Sequence, residues 1–273
     1  MEVELIAITR YLKGDGSPEA LLEHAGRVCY RSESRGDPAA FLRARIREGH
    51  ESLIEHASAT FEIRGISRAC SHQLVRHRIA SYSQESQRYV SMDDPQWVLP
   101  PSIAQDEVAR ALWDQFATQV KETYRALRAR GIRKEDARFV LPNATATRIV
   151  VTMNFRELLH VFRLRISPEA QWEIREVAVR MLEAVYPYAP AVFGDLRDDL
   201  RRRYPEFFDH RPQTTDDRPQ TTDHRPQTAD DGRQTTDDRP QTTDDGRQTT
   251  DDRPQTTDDG RRTTDHRPRT ADG

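Results

Sequence analysis

The amino-acid sequence predicts an α+β fold in which helices cover an antiparallel or mixed β-sheet. The first observation is that the segments around Val3, Ala57 and Ile149 carry alternating or β-branched apolar residues, as strands do. The second is that other segments place apolar residues at helical spacing, and several of them open on a recognisable cap. A sheet built from these three segments and covered by helices accounts for both patterns.

The N-terminal elements have clear boundaries in the sequence. Residues 3–9 alternate well enough to form a strand. Ser17 and Asp37 each precede a proline, which is the arrangement of an N-cap followed by the first helical residue. Gly49 is expected to end the second of these helices. The sequence therefore predicts one strand and two helices before residue 50.

Later elements follow the same rules. Ser67 is expected to open a helix that runs into Arg76, and Asn154 is expected to cap another helix. A third, long amphipathic helix begins near Val108 and ends near Leu127, and its apolar face predicts packing in the core or at a subunit interface. The remaining predicted elements are strands over 57–64 and 149–153 and helices over 169–186 and 191–204.

The chain of 273 residues divides into two parts. Residues 1–208 are predicted to form one catalytic domain. Residues 209–273 repeat a seven-residue unit such as DHRPQTT, with no aromatic residue and no aliphatic residue larger than alanine. Such a segment cannot bury enough apolar surface to offset the entropy lost on ordering. We therefore expect a disordered, low-complexity tail.

Composition excludes several classes of protein. The net charge of residues 1–208 is near +2, too balanced for a dedicated nucleic-acid-binding protein. Two cysteines make no disulfide framework and are typical of a reducing cytoplasm. The N-terminus does not read as a signal peptide, and no apolar run reaches membrane-spanning length. A cytoplasmic protein without a membrane or nucleic-acid partner is predicted.

The segment from Arg76 to Tyr89 concentrates anion-binding side chains. It reads RHRIASYSQESQRY, with four basic residues, three serines and a single acid, Glu85. Guanidinium groups and short hydroxyl side chains bind phosphate and carboxylate groups. If the preceding helix continues, Arg76 and Arg78 point in nearly opposite directions and serve two different anions. The alternative is a solvated basic face, although Ile79 and Tyr89 are unusual in a solvent-facing loop.

A metal or dinucleotide motif is not expected. His50, Glu51, Glu55 and His56 resemble metal ligands, but Ile54 occupies the place of the second histidine in a zinc-protease motif. Neither a G-x-G-x-x-G nor a Walker loop occurs. A nucleotide would have to be held by arginines and hydroxyls.

In the segment from Arg76 to Tyr89 the sequence resembles the flavin-dependent thymidylate synthases. Their signature is Arg-His-Arg, seven residues and then Ser, which here reads Arg76-His77-Arg78 to Ser86. The resemblance extends to residues 49–56, 137–142 and 154–172 and covers most of residues 1–205. It implies an FAD-dependent methyltransferase that makes dTMP from dUMP, with methylenetetrahydrofolate as carbon donor and FAD-mediated hydride transfer from NADPH. It also implies a homotetramer with shared active sites.

The resemblance also assigns residues. It implies FAD contacts at Ser52, Arg76, His77, Arg78, Gln84, Asn154, Arg156 and His160. It implies dUMP contacts at Gln73, Arg76, Gln84, Glu85, Ser86, Gln87, Arg88, Arg138 and Arg165. The chain departs from many members by carrying Ser83-Gln84 in place of Asn-Glu, and from some by carrying His160 in place of Asn.

The resemblance gives the catalytic role to Arg165, whose cation would stabilise negative charge that develops on the uracil ring. Covalent attack by the protein is the alternative. Cys70 is expected to be an inert buried thiol, and Ser86 has no base beside it in the sequence, so a phosphate-binding role is predicted for Ser86. The competing function is an arginine-rich nucleic-acid-binding module without flavin.

Overall fold

The structure, a computed structural model, describes residues 1–33 and 37–209. The predicted repeat tail lies outside the described residues, apart from Asp209. None of the helices in the described residues combines the length and the hydropathy that a membrane-spanning segment requires.

A four-stranded antiparallel sheet forms the centre of the fold, so the predicted α+β class is confirmed. Its strands lie in the order β1-β2-β4-β3. Their bounds are β1 Glu2–Ile8, β2 Ser58–Ser67, β3 Ala80–Gln84 and β4 Ala146–Asn154. Three of these strands match the predicted segments. Strand β2 bulges between Arg64 and Ile66, where Gly65 adopts a positive φ of 70°.

The fourth strand, β3, was not predicted. It pairs with β4 from Ala80 opposite Met153 to Gln84 opposite Ile149. Its residues alternate between half-buried and exposed, and the exposed ones are serines. Because the half-buried positions include only one large apolar residue, Tyr82, the alternation is too weak to be recognised as a strand.

Ten α-helices occur in the described residues. Their bounds are α1 Pro18–Tyr30, α2 Pro38–Arg47, α3 Arg68–Leu74, α4 Pro101–Ala104, α5 Glu107–Ala129, α6 Lys134–Ala137, α7 Phe155–Arg165, α8 Trp172–Val185, α9 Pro190–Arg203 and α10 Pro205–Phe208. The predicted caps are confirmed, since Ser17, Asp37, Ser67 and Asn154 all accept hydrogen bonds from backbone N–H groups of the first turn.

Two predicted helix boundaries were wrong. The helix that begins after Ser67 ends at Leu74 and does not run into Arg76. The helix predicted from residue 169 begins at Trp172, because the side chain of Gln171 accepts from the backbone N–H groups of Glu173 and Ile174 and caps it there.

One face of the sheet packs against helices and forms the main core. Strands β2 and β4 contribute Phe61, Ile63, Ile149 and Val151, all fully buried, beneath residues of α7 and α8. The start of α3 is fixed to α8 by a buried carboxylate. Glu173 accepts hydrogen bonds from the backbone N–H of Ser67 at 2.6 Å and from its hydroxyl at 2.5 Å. The N-terminal end of α3 is thereby anchored to the core.

The long helix α5 confirms the predicted amphipathic helix but is buried over only part of its length. Near its C-terminal end Tyr124 is fully buried and forms a second, small core with Met92 and Ala137. Nearer its N-terminus Val108 and Leu112 are 72% and 63% exposed. In a single chain, the apolar face of this half of α5 is therefore uncovered.

Candidate active site

The predicted anion-binding segment begins in the turn between α3 and β3. Tyr82 on β3 directs its hydroxyl at the backbone carbonyls of both Leu74 and His77, each at 2.8 Å. These contacts close the turn around the Arg-His-Arg sequence. Burial raises the pKa of Tyr82 above its usual value, with the nearby Glu157 carboxylate as a second cause. The phenol therefore stays protonated and remains a donor.

Arg76 and Arg78 lie in this turn with exposed side chains. Within the described residues neither has an ion-pair partner. The prediction that helical spacing separates them was wrong, since both follow the end of α3 at Leu74. The expectation that Ile79 and Tyr89 avoid solvent was also wrong for a single chain, where they are 66% and 75% exposed.

His77, between these arginines, is buried and contacts Arg165. The Arg165 Nε–H donates to His77 Nε2 at 3.0 Å, and its Nη2 donates to the backbone carbonyl of Gln73 at 3.3 Å. The contact joins the end of α7 to the turn after α3. Arg165 is half-buried, and within the described residues no protein acceptor takes its other N–H groups. The predicted catalytic cation is thus held from one side.

Burial lowers the pKa of His77 from 6.5 to about 4, and the positive charge of Arg165 and the neighbouring His160 act in the same direction. The imidazole is therefore neutral at neutral pH. A neutral imidazole can accept a hydrogen bond from a guanidinium, which a protonated one cannot.

Helix α7 and its cap contribute two further predicted residues, Asn154 and His160, and also Glu157, which was not predicted. Asn154 caps the helix, with its side-chain oxygen accepting from the N–H of Glu157 at 2.8 Å. The ring of His160 lies 5.8 Å from the ring of His77 at an interplanar angle of 71°. Glu157 is buried, and its Oε1 is 3.6 Å from His77 Nδ1. These side chains, with Gln73 and Arg165, form a first cluster, which we call the His77 cluster.

The residues predicted to contact the substrate around Glu85 form a second cluster. The backbone N–H of Glu85 donates to the carbonyl of Arg148 at 2.9 Å, continuing the β3–β4 pairing. The carbonyl of Glu85 accepts from the guanidinium of Arg68 at 2.8 Å. Gln84 points inward, donating to Ser71 Oγ at 2.9 Å and to Thr147 Oγ1 at 3.2 Å. The backbone of residues 84–85 is thus fixed on both sides.

Arg88 and Arg138 lie beside this second cluster and share Glu135 as a partner. Arg88 Nε is 3.6 Å from the Glu135 carboxylate, and Arg138 Nε donates to the Glu135 carbonyl at 3.1 Å. Ser86 and Gln87 are half-buried, and Ser86 Oγ accepts from the N–H of Arg88 at 3.3 Å.

Burial lowers the pKa of Arg68, which still remains far above neutrality as guanidinium pKa values do.

Ser52 and Arg156 lie apart from these contacts, where α7 meets the short 3-10 helix Glu51–His56. Ser52 is exposed. Arg156 forms ion pairs with Glu55 and Glu51, and Glu51 also pairs with Arg163 at 2.9 Å. The two acids that resemble metal ligands in sequence therefore bind arginines. Among residues 1–33 and 37–209, no group of three or more potential metal ligands occurs.

Sequence reasoning missed two residues in these clusters, Arg68 and Glu157. Each is charged and lies at the start of a helix next to residues that pack into the core, in ISRACS and NFRELL respectively. Their position is the feature of the sequence that could have identified them, because a charged side chain among residues that pack into the core needs a partner there. It identifies neither the partner nor the function.

Comparison with known proteins decides the family. Residues 9–191 match the family described as thymidylate synthase complementing protein. The chain is also 51% identical over 189 residues to the flavin-dependent thymidylate synthase of Geobacter sulfurreducens, covering 65% of this chain and 82% of that one. The chain belongs to the flavin-dependent thymidylate synthase family. The resemblance recognised in the sequence, and the enzyme class it implies, are confirmed.

Other flavin-dependent thymidylate synthases are also similar to this chain, in sequence and in structure. The Pyrococcus furiosus synthase is 46% identical over 172 residues, which are 62% of this chain and 67% of that protein. A crystal structure of the Helicobacter pylori synthase complexed with FAD and dUMP is similar with a TM-score of 0.58 and 25% identity, covering 71% of this chain and 99% of that one. The likeness of sequence and of fold thus extends over most of the described residues.

Proposed function

We propose that this chain makes dTMP from dUMP, with methylenetetrahydrofolate as carbon donor, NADPH as reductant and FAD as cofactor. Family membership and the Helicobacter pylori complex with FAD and dUMP support the choice of cofactor and substrate. One observation in this chain carries the proposal. The guanidinium of Arg165 is held half-buried by His77 and Gln73, with its other N–H groups free of protein acceptors among the described residues.

The side chains present fit a phosphate-bearing cofactor. Arg76 and Arg78 are exposed cations without ion pairs in the described part of the chain, and such guanidinium groups bind phosphates. FAD, when bound, supplies the redox chemistry of the reaction. The residues proposed to hold it are Ser52, Arg76, His77, Arg78, Gln84, Asn154, Arg156 and His160. Of these, His77 has only a small exposed edge, and Arg156 must exchange its glutamate partners for the cofactor.

The second cluster fits a nucleoside monophosphate. Residues 84–88 carry polar and charged side chains, including Arg88, on a backbone that the Arg68 guanidinium and the Arg148 carbonyl hold in place, with Arg138 alongside. A backbone fixed in advance lowers the entropy cost of binding. The residues proposed to bind dUMP are Gln73, Arg76, Gln84, Glu85, Ser86, Gln87, Arg88, Arg138 and Arg165.

In the proposed mechanism Arg165 activates the uracil electrostatically. A fixed cation in a partly desolvated site stabilises negative charge that develops on the ring, without reorganising during the reaction. A neutral His77 leaves the cation uncompensated, whereas a carboxylate in that place would neutralise it. The charge of Arg165 is therefore available to the substrate.

The proposal includes no covalent bond between the protein and the base. Cys70 is fully buried, and burial raises the pKa of its thiol well above neutrality, so no thiolate forms. Ser86 Oγ contacts the backbone N–H of Arg88, and within the described residues no base lies in hydrogen-bond contact with it. Ser86 instead suits a contact to phosphate.

We further propose a homotetramer with shared active sites. Its support is the uncovered apolar face of α5, where Val108, Leu112 and Phe116 are 72%, 63% and 46% exposed, together with Phe139, which is 83% exposed. Exposed apolar surface of this kind marks contacts between chains. The catalytic unit is proposed to be residues 1–208, acting in the cytoplasm, where its two free cysteines stay reduced.

The experiment is reconstitution with the purified full-length protein. We expect flavin absorbance after incubation with FAD, and dTMP formation that requires dUMP, methylenetetrahydrofolate and NADPH together. A colourless protein that takes up no FAD and forms no dTMP with every cosubstrate present would refute the proposal. Salt-sensitive binding to nucleic acid by such a protein would favour the alternative module instead.

A further inference from the structure

Glu157 is a buried charge that the mechanism above leaves without a role. It lies in the first turn of α7 and is 7% exposed. Its Oε1 is 3.6 Å from His77 Nδ1, and on the opposite side of the same ring Nε2 accepts from Arg165 at 3.0 Å. The three side chains therefore stand in a row, with the imidazole between a carboxylate and a guanidinium.

The order of these groups fixes the tautomer of His77. A guanidinium can only donate hydrogen bonds, so Nε2 must present its lone pair to Arg165. In the neutral ring the proton is then on Nδ1, which is the nitrogen that faces Glu157. At 3.6 Å the carboxylate is beyond hydrogen-bond distance, but it still favours an N–H dipole over a lone pair on the facing atom.

The opposite tautomer is disfavoured on both sides. Moving the proton to Nε2 would place an N–H against the N–H of Arg165 and a lone pair against the Glu157 carboxylate. The other ionisable groups near the ring are His160, at 5.8 Å between ring centroids, and Tyr82, whose hydroxyl contacts the His77 carbonyl. Neither reaches a ring nitrogen of His77 with a hydrogen bond, so Glu157 and the donor-only Arg165 together select the tautomer.

We propose that Glu157 is a positioning residue of the active site. It holds His77 in the tautomer with the proton on Nδ1, which keeps the Nε2 lone pair aimed at Arg165 and the guanidinium in place. The part of this inference that concerns substrate binding rests on the proposed function of Arg165. The part that concerns the tautomer depends only on the contacts within the protein.

Two substitutions separate the acceptor from the charge. Glu157→Leu removes both the charge and the acceptor from a buried place of similar size. Glu157→Gln removes the charge but keeps an amide oxygen that can face Nδ1–H. Glu176→Gln is the matched control, because Glu176 lies on the solvent-facing part of α8 in an ion pair with Arg180, away from His77.

The tautomer is measured on the full-length protein by nitrogen-15 NMR of the histidine side chains, with His77→Gln assigning the signals. In the wild type and in Glu176→Gln we expect a fixed neutral ring with the proton on Nδ1. In Glu157→Leu we expect mixed tautomers, and in Glu157→Gln the fixed tautomer with about tenfold faster exchange of the Nδ1 proton with water.

Unchanged tautomer and exchange in both variants would overturn the proposal. If Glu157→Leu does not fold, the exchange rate in Glu157→Gln decides alone.

The consequence for Arg165 is measured by the affinity for dUMP. We expect the Kd to rise about tenfold in Glu157→Leu and to recover to within about threefold of the wild type in Glu157→Gln. A wild-type protein that shows the fixed tautomer but binds no dUMP would refute the proposed function and leave the tautomer assignment standing. An unchanged Kd in Glu157→Leu despite mixed tautomers would refute the positioning role.

Discussion

Arg165 Nε donates a hydrogen bond to Nε2 of the buried His77 at 3.0 Å. The contact joins two residues of the thymidylate synthase signature regions that are 88 positions apart in sequence. A guanidinium held by a neutral acceptor keeps its full charge, whereas a carboxylate partner would offset it. The relationship therefore connects the fold of the turn after α3 to the cation on which the proposed chemistry depends.

The buried neutral His77 predicts a loss of stability in mild acid. Its pKa is about 4 in the folded chain against about 6.5 when unfolded, so the unfolded state binds more protons between these values. The stabilisation is complete above pH 6.5 and is lost as the pH falls toward 4. Between pH 7 and pH 5 the expected loss is about 2 kcal/mol.

Urea unfolding at several pH values measures this effect. His77→Gln is the matched variant, because its amide oxygen can accept from Arg165 but does not titrate. We expect the loss between pH 7 and pH 5 to be about 2 kcal/mol smaller in this variant than in the wild type. Equal pH dependence in the two proteins would show that His77 does not titrate as described.

Ser86→Ala is expected to keep measurable turnover. The hydroxyl contacts a backbone N–H and no base, so its removal costs a substrate contact but no nucleophile. We expect KM for dUMP to rise about tenfold with a smaller change in kcat. Mass spectrometry of the wild type trapped during turnover checks the same point, and a covalent adduct between Ser86 and uracil would contradict the account.

Arg76→Ala and Arg78→Ala are expected to weaken FAD binding. Each removes an exposed guanidinium that has no ion-pair partner in the described part of the chain, so little folding stability is at stake. Loss of one charge-assisted contact to phosphate predicts a rise of about ten- to hundredfold in the Kd for FAD. Flavin fluorescence titration measures it. Arg43→Ala, which removes a half-buried arginine on α2 that pairs with Asp37, is the control and is expected to bind FAD as the wild type does.

Deletion of residues 209–273 is expected to leave activity unchanged. The buried core residues of the described chain end at Phe208, and the repeats carry no apolar residue that could extend that core. The comparison is kcat/KM for dUMP and the melting temperature of the full chain and of the shortened one. A loss of more than about threefold in kcat/KM would show that the repeats take part in function.

Local features of this fold could be predicted from sequence, and contacts between distant segments could not. Ser17 and Asp37 cap helices through bonds to backbone two or three residues away, so the sequence is sufficient. The end of α3 at Leu74 depends instead on Tyr82, which contacts the turn only once β3 pairs with β4. The strand β3 was missed for a related reason, because its hydrogen-bonded pairing with β4, and not a pattern of alternating apolar residues, stabilises it.

The candidate site shows the same division. The signature from Arg76 to Ser86 is contiguous and led to the family directly. The neutral state of His77 follows from its burial and from the approach of α7, which no local pattern reports. Glu157 has an ordinary place in the first turn of a helix, and only the fold shows that its carboxylate faces the ring of His77.

The central claim is that the Arg165 guanidinium drives the reaction electrostatically, and Arg165→Ala tests it most directly. The control is Arg163→Ala, which removes an exposed arginine of the same helix that pairs with Glu51. We predict that Arg165→Ala still shows bound-flavin absorbance while kcat for dTMP formation falls about 10²- to 10³-fold. An Arg165→Ala protein that binds FAD and forms dTMP at the rate of Arg163→Ala would contradict the account.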